Sequence, residues 1–294
     1  MHLENRHQID KMTFFQGFFL DFYPSTKAKK PTVPRVDEIP YFLTWPLTFL
    51  LNKTGILATR VVFASSLFGV AFLILLASNQ NQTQQALLCF LLISRILLDY
   101  TDGQLARYSG KTSNLGALYD LISDFAFTLL LFLVVSYLLI FAHSLPIWKA
   151  SLLAVGAFLA NVISATTASY LARLSATPNK PQAVTRKEFL SQFTSDHPKD
   201  KAYTRKVELL NRLFYFSWHR VSHIVIFGLI RGKHVSYPKI AAHSTTFFAN
   251  SMHLFLLSFF IFFGVSLVTF CLVEISLFAV HLFILMIFQL LPAK

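Results

Sequence analysis

The sequence predicts an all-α fold: a polytopic membrane helix bundle of six transmembrane helices with an N-terminal interfacial amphipathic helix. Three observations carry that expectation. The 294 residues are 54% hydrophobic, with 32 phenylalanines and only 14% charged residues. With a mean hydropathy of +0.54, that is too apolar for an ordinary water-soluble domain. Several apolar runs approach or exceed the roughly 20 residues a helix needs to cross a bilayer. The 26 Lys and Arg residues, which set a formal net charge of +12, lie mostly between those runs. This placement fits cytoplasmic loops facing anionic membrane lipids and gives no reason to invoke nucleic acid.

Taken in order, residues 1–53 read as a cytoplasmic tail ending in the interfacial helix. The tail is polar, with Pro24, Pro31 and Pro34 and the basic group Lys27, Lys29 and Lys30. The stretch 38–51 is too short to span and is interrupted by prolines. Its aromatics Tyr41, Phe42, Trp45 and Phe49 suit the headgroup layer. Spans are then expected at 56–77, 85–107, 114–142 and 146–173, so that 54–173 is a four-helix transmembrane unit. A basic cytoplasmic loop, 174–243, separates it from two further spans, 244–265 and 267–291, in the last unit, 244–294. Within the loop, 213–230 is apolar but contains His219, Arg220 and His223, which favours a second helix at the interface. Cys89 and Cys271 both fall inside apolar runs and suggest neither a disulfide nor a thiolate metal site.

The distribution of Lys and Arg sets the orientation. Residues 1–53 hold seven and 173–239 hold thirteen, and the turn after the second span holds Arg107 and Lys111. The 78–85 and 265–267 connections hold none, and only Lys149 lies near the 143–146 turn. Both termini, the 108–113 turn and the long loop are therefore expected in the cytoplasm, an assignment consistent with an even number of spans.

Four of the chain's 14 acidic residues are concentrated at the facing ends of the second and third spans. They are Asp99, Asp102, Asp120 and Asp124. Carboxylates inside membrane spans are costly unless they face a cavity with partners, so they read as functional. Asp99 and Asp102 are three apart, Asp120 and Asp124 four apart, so each pair shares one helix face. The spacing centres on the turn at 110–112, which sets Asp99 level with Asp124 and Asp102 level with Asp120. At 1.5 Å per residue the inner pair lies roughly 14 Å from that turn, a depth reachable from the cytoplasm. Clustered carboxylates without His or Cys suit a hard divalent cation, Mg²⁺ or Mn²⁺, and argue against zinc. Small residues accompany them: Gly103 and Ala106 after Asp102, and Gly116 one turn before Asp120. Arg107 either grips a phosphate with its planar fork or snorkels as an ordinary helix-end residue. Arg95, four residues before Asp99, either pairs with that carboxylate or takes an acceptor phosphate.

The run Asp99-x2-Asp102-Gly103-x2-Ala106-Arg107-x8-Gly116-x3-Asp120-x3-Asp124 resembles the signature of the CDP-alcohol phosphatidyltransferases at all of its defining positions. The resemblance implies two metal ions held by Asp99, Asp102 and Asp120, with Asp124 as a further ligand and as the base that activates an acceptor hydroxyl. It implies that Asp102, Gly103, Ala106, Arg107 and Gly116 contact the CDP moiety, that CMP leaves, and that the enzyme works as a homodimer in the membrane. Its partners would be a CDP-alcohol donor such as CDP-diacylglycerol, a hydroxyl acceptor and membrane lipids. One departure stands out. Where many members carry Pro-Asn-x-x-Thr at the start of the first span, this chain has Ala58-Thr59-Arg60-Val61-Val62, so Thr59 and Arg60 are the candidates to replace that part of the nucleotide grip.

Two other classes compete. An intramembrane prenyltransferase also binds a Mg²⁺-diphosphate but would carry a second Asp-rich motif, which the second half of this chain lacks. A divalent-cation transporter would not need the fixed glycines, alanine and arginine, and its acidic residues should continue to the far side of the membrane.

Overall fold

The computed structural model describes residues 39–78, 82–111, 114–176, 209, 248 and 250–290. Within them the chain is all-helical, with seven helices: α1 (Ile39–Lys53), α2 (Ala58–Ala77), α3 (Gln82–Tyr108), α4 (Asn114–Phe141), α5 (Ile147–Ala176), α6 (Asn250–Phe262) and α7 (Leu267–Leu290). The expected tail at 1–38, and the basic loop with its helix at 213–230, lie outside the described residues.

Several helices end where the sequence provides a turn. Gly55, Gly110 and Gly264 have φ of +71°, +67° and +65°, a conformation that glycine adopts without steric cost. They follow α1, α3 and α6 respectively. Ser144, with φ of 52°, reverses the chain between α4 and α5, and Pro146 sits just before α5, a position compatible with its missing N–H.

Four helical stretches are long and apolar enough to cross a membrane: Ala58–Ala77, Tyr119–Phe141, Ile147–Ala168 and Leu267–Ile287. α3, at 27 residues, has the length, but it carries Arg95, Asp99, Asp102 and Arg107, which lower its hydropathy. α6 is 13 residues long. Large apolar side chains cover the outward faces: Phe63, Ile74, Leu152 and Phe283 are each more than 60% exposed. Exposed apolar area on this scale marks a surface meant for lipid rather than water. The chain is an integral membrane protein.

The core is built where α2, α3 and α4 meet and continues through α5, α6 and α7. Phe72, Leu88, Leu92, Val135, Leu139, Ala150, Ala157, Leu257 and Cys271 are essentially inaccessible within it. Alanines and a glycine on α5 let neighbouring helices approach closely. A Cβ on Gly156 would lie 3.4 Å from Ile275 Cδ1 of α7.

α1 docks on α3 through a face that contains polar groups. Thr44, Trp45 and Thr48 are buried there. Both threonine hydroxyls reach Gln104 Oε1, at 3.0 and 2.8 Å, and Gln104 Nε2 donates to the Tyr41 carbonyl at 3.2 Å. The rings reinforce this seam, with Tyr41 edge-on to Tyr100 at 4.9 Å and Trp45 edge-on to Tyr108 at 5.0 Å. The opposite face of α1 exposes Phe42, Leu43 and Leu50.

Candidate active site

The α3–α4 hairpin positions the acidic residues. Asp99 comes from α3, and Asp120 and Asp124 from α4. One carboxylate oxygen from each lies within 4.8 Å of the other two. That spread is comparable with the ~4–5 Å between opposite oxygens around a divalent ion bound at 2.0–2.6 Å. The donors are all oxygen, which suits a hard cation. The spacing in the sequence brings four carboxylates to this hairpin, and the structure gathers three of them. Asp102, one turn farther toward the α3–α4 turn, lies outside the trio. It is 4% exposed, and its Oδ2 has no hydrogen-bond partner among the described residues. A buried, unsatisfied carboxylate oxygen beside three other carboxylates is expensive unless a cation or a ligand donor meets it. The residues present therefore fit a bound divalent metal.

Arg95 has a different partner from the one its position on α3 suggests. Its Nη2 donates to Asp124 Oδ1 at 2.7 Å, so the ion pair bridges α3 and α4 instead of running along α3 to Asp99. The reason is the packing around the side chain. The guanidinium lies over the Phe127 ring, 3.9 Å from its centroid, and Phe127 is nearly one turn beyond Asp124. Gly69 of α2 leaves the space for this stack, since a Cβ there would come within 2.9 Å of Phe127 Cδ2 and 3.1 Å of Arg95 Cδ and Nε. Arg95 is thereby held at 2% exposure against α4. Two serine contacts tie α2 to the same place: Ser65 Oγ donates to the Arg95 carbonyl at 3.1 Å, and Ser66 Oγ meets Ser123 Oγ at 2.8 Å.

At the turn end of the hairpin, Arg107 folds back along its own helix. A Cβ on Gly103 would lie 3.2 Å from Arg107 Nη1, and the guanidinium sits 5.5 Å from the centroid of Tyr41 on α1. Gly103 thus makes room for the arginine head directly beside Asp102. Ala106 is half-buried on α3, and Gly116 lies in the first turn of α4. Thr59 and Arg60 are exposed on the first turn of α2.

Several participants carry no sequence signal. Gly69 and Phe127 are an ordinary glycine and phenylalanine in apolar helices, and only the packing shows that they position Arg95. Tyr41 is legible as an interfacial aromatic but not as a neighbour of Arg107. Asn161 and Glu274 suggest interhelical polar contacts; Glu274 of α7 does face His253 of α6, with Oε2 2.6 Å from Nδ1, whereas Asn161 Oδ1 has no partner among the described residues.

Residues 55–192, which hold the whole hairpin, match the family model described as CDP-alcohol phosphatidyltransferase. The chain carries a CDP-alcohol phosphatidyltransferase domain. Members of this family are transferases of substituted phosphate groups that act in phospholipid synthesis and use a divalent metal. Comparison with curated proteins and with solved structures finds no match. The family model therefore stands beside the geometry of the acidic trio, and both point to the same stretch of chain.

Proposed function

We propose that this protein is a CDP-alcohol phosphotransferase of phospholipid biosynthesis that transfers the phosphoalcohol group of a CDP-alcohol such as CDP-diacylglycerol to a hydroxyl acceptor and releases CMP. The observation that carries the proposal is the convergence of Asp99, Asp120 and Asp124 within 4.8 Å inside the matched domain. The residues that would hold two ions, Mg²⁺ or Mn²⁺, are Asp99, Asp102, Asp120 and Asp124. When bound, such ions neutralise diphosphate charge and favour departure of a phosphate leaving group.

The chain's own residues supply the rest. Arg95 occupies Asp124 Oδ1 and fixes the orientation of that carboxylate, which leaves Oδ2 to accept the acceptor's proton. As the acceptor oxygen bonds to the phosphorus next to the diacylglycerol, the P–O bond to the CMP portion breaks and the electron pair leaves on CMP. Arg107, with its planar donor fork, holds the diphosphate at the turn end of the site. Asp102, Gly103, Ala106 and Gly116 form the nucleotide wall. Thr59 and Arg60, at the open end of α2, complete the grip on CDP.

The same reading gives the membrane arrangement. α2, α3, α4, α5, α6 and α7 correspond to the six expected spans. α1 lies in the headgroup layer with Phe42, Leu43 and Leu50 in lipid. The Lys and Arg distribution supports a cytoplasmic position for the trio, from which a water-soluble CMP can leave. The units are 1–53, 54–173, 174–243 and 244–294, and the functional assembly is a homodimer. The test is metal-dependent CMP release from CDP-diacylglycerol by purified protein with a panel of alcohols. Absence of CMP with every acceptor, in a preparation that remains folded, overturns the reading.

A further inference from the structure

α1 precedes the matched domain, which begins at residue 55, yet its buried face lies along the end of α3 that carries Asp102, Gly103, Ala106 and Arg107. Tyr41, Thr44, Trp45 and Thr48 are each at most 8% exposed, and their i, i+3, i+4, i+7 spacing makes them one stripe. On α3 they meet Tyr100, Gln104, Arg107 and Tyr108, which share a helix face for the same reason. Two of these four flank Gly103 or close the run that starts at Asp102.

Two contacts locate the head of Arg107. The first is Gly103, one turn earlier on α3, where a Cβ would lie 3.2 Å from Nη1 and 3.7 Å from Nη2. The second is the ring of Tyr41, whose centroid is 5.5 Å from Cζ, within the ~6 Å over which a guanidinium is attracted to an aromatic face. Tyr41 is itself held in place. Its ring is edge-on to Tyr100 at 4.9 Å, and its carbonyl accepts from Gln104 Nε2 at 3.2 Å. Gln104 is inaccessible and is tied on its other side to the Thr44 and Thr48 hydroxyls. A long side chain pre-set in one arrangement loses less entropy when it grips a ligand.

We infer that α1 is part of the nucleotide site and that Tyr41 is a positioning residue for the diphosphate, because its ring pre-sets the Arg107 guanidinium beside Gly103 and Asp102. The inference deepens the transferase reading, in which Arg107 holds the diphosphate, and rests on it. Thermodynamic reciprocity gives it a second face. If the seating of α1 on α3 favours a bound nucleoside diphosphate by some factor, the bound diphosphate favours the seating of α1 by the same factor. For a buried cation against a ring, that factor is about fivefold.

The experiment uses the full-length protein in lipid nanodiscs with Mg²⁺, and CDP as the probe. In wild type, saturating CDP should slow hydrogen exchange of the hydrogen-bonded α1 amides about fivefold. Tyr41→Leu should weaken CDP binding, measured by titration calorimetry, about fivefold. It should raise KM for CDP-diacylglycerol to match while kcat for CMP release stays within about twofold. Tyr41→Phe keeps the ring and should stay within about twofold of wild type in both. In an Arg107→Met background, adding Tyr41→Leu should change CDP affinity less than about twofold. Unchanged α1 exchange in CDP-saturated wild type overturns the inference alone, whether or not any variant folds. So does an equal loss in Tyr41→Leu and Tyr41→Phe, or a full fivefold effect of Tyr41→Leu without Arg107. No CMP from folded wild type with any acceptor removes the transferase reading and this inference with it.

Discussion

Arg95→Met tests the link between packing and chemistry at the acidic site. Methionine keeps most of the aliphatic length that lies over Phe127 and beside Gly69, so the perturbation is chiefly the loss of the charge on Asp124. Removing one partner of a buried ion pair costs about 3–5 kcal/mol. Asp124 is 29% exposed, so the lower end, about 3 kcal/mol, is the expected loss in metal-free protein. Two further carboxylates, those of Asp99 and Asp120, stand within 4.8 Å and add repulsion once the guanidinium is gone. Added Mg²⁺ should therefore stabilise Arg95→Met more than it stabilises wild type. Turnover should fall about 10²-fold through loss of orientation at Asp124. The assay is thermal unfolding in detergent with and without Mg²⁺, followed by CMP release. Arg95→Met/Asp124→Asn completes a double-mutant cycle and should recover most of the lost stability, because the uncompensated charge is removed as well. A double variant as unstable as the two single losses added together would refute the pairing. So would an Arg95→Met protein with wild-type stability and rate.

Four other outcomes follow from particular contacts. Gly69→Ala puts a methyl group 2.9 Å from Phe127 Cδ2, and should destabilise the protein by about 1–3 kcal/mol and reduce turnover by shifting Arg95, read by melting temperature and CMP release. Gln104→Leu removes the shared acceptor of the buried Thr44 and Thr48 hydroxyls, which keep the Pro40 and Thr44 carbonyls as acceptors; it should cost about 0.5–1.5 kcal/mol and speed proteolysis of the α1 region. Asp124→Asn should lower turnover about 10²–10⁴-fold, whereas Asp120→Asn should mainly raise the Mg²⁺ concentration needed for half-maximal rate, measured by metal titration. Chelation with EDTA should abolish CMP release, and Mg²⁺ or Mn²⁺ should restore it.

The carboxylate spacing across the α3–α4 turn is enough, from the sequence alone, to bring Asp99, Asp102, Asp120 and Asp124 to one hairpin, because helical rise and a short turn leave little freedom, but not to set Asp102 apart from the other three. Helix positions are legible for the same reason, with α2, α4, α5 and α7 standing out as apolar runs. α3 is harder to class by hydropathy, since the residues that make the site also dilute its apolar character. The partner of Arg95 is not legible, because spacing along one helix points to Asp99 and says nothing about a neighbour across the seam. Gly69 decides that partner, and a glycine in an apolar helix gives no sign of what its missing side chain admits. The polar contact between α6 and α7 is invisible for a similar reason. Asn161, His253, Glu274 and His281 are scattered singly through apolar segments, and only tertiary packing brings His253 against Glu274.

The most direct test of the central claim is CMP release from CDP-diacylglycerol by wild-type protein, with and without divalent metal, over the full acceptor panel. The account predicts CMP formation with at least one acceptor, dependent on Mg²⁺ or Mn²⁺ and lost in Asp124→Asn. Metal-independent CMP release, or none from a folded preparation with any acceptor, would contradict it.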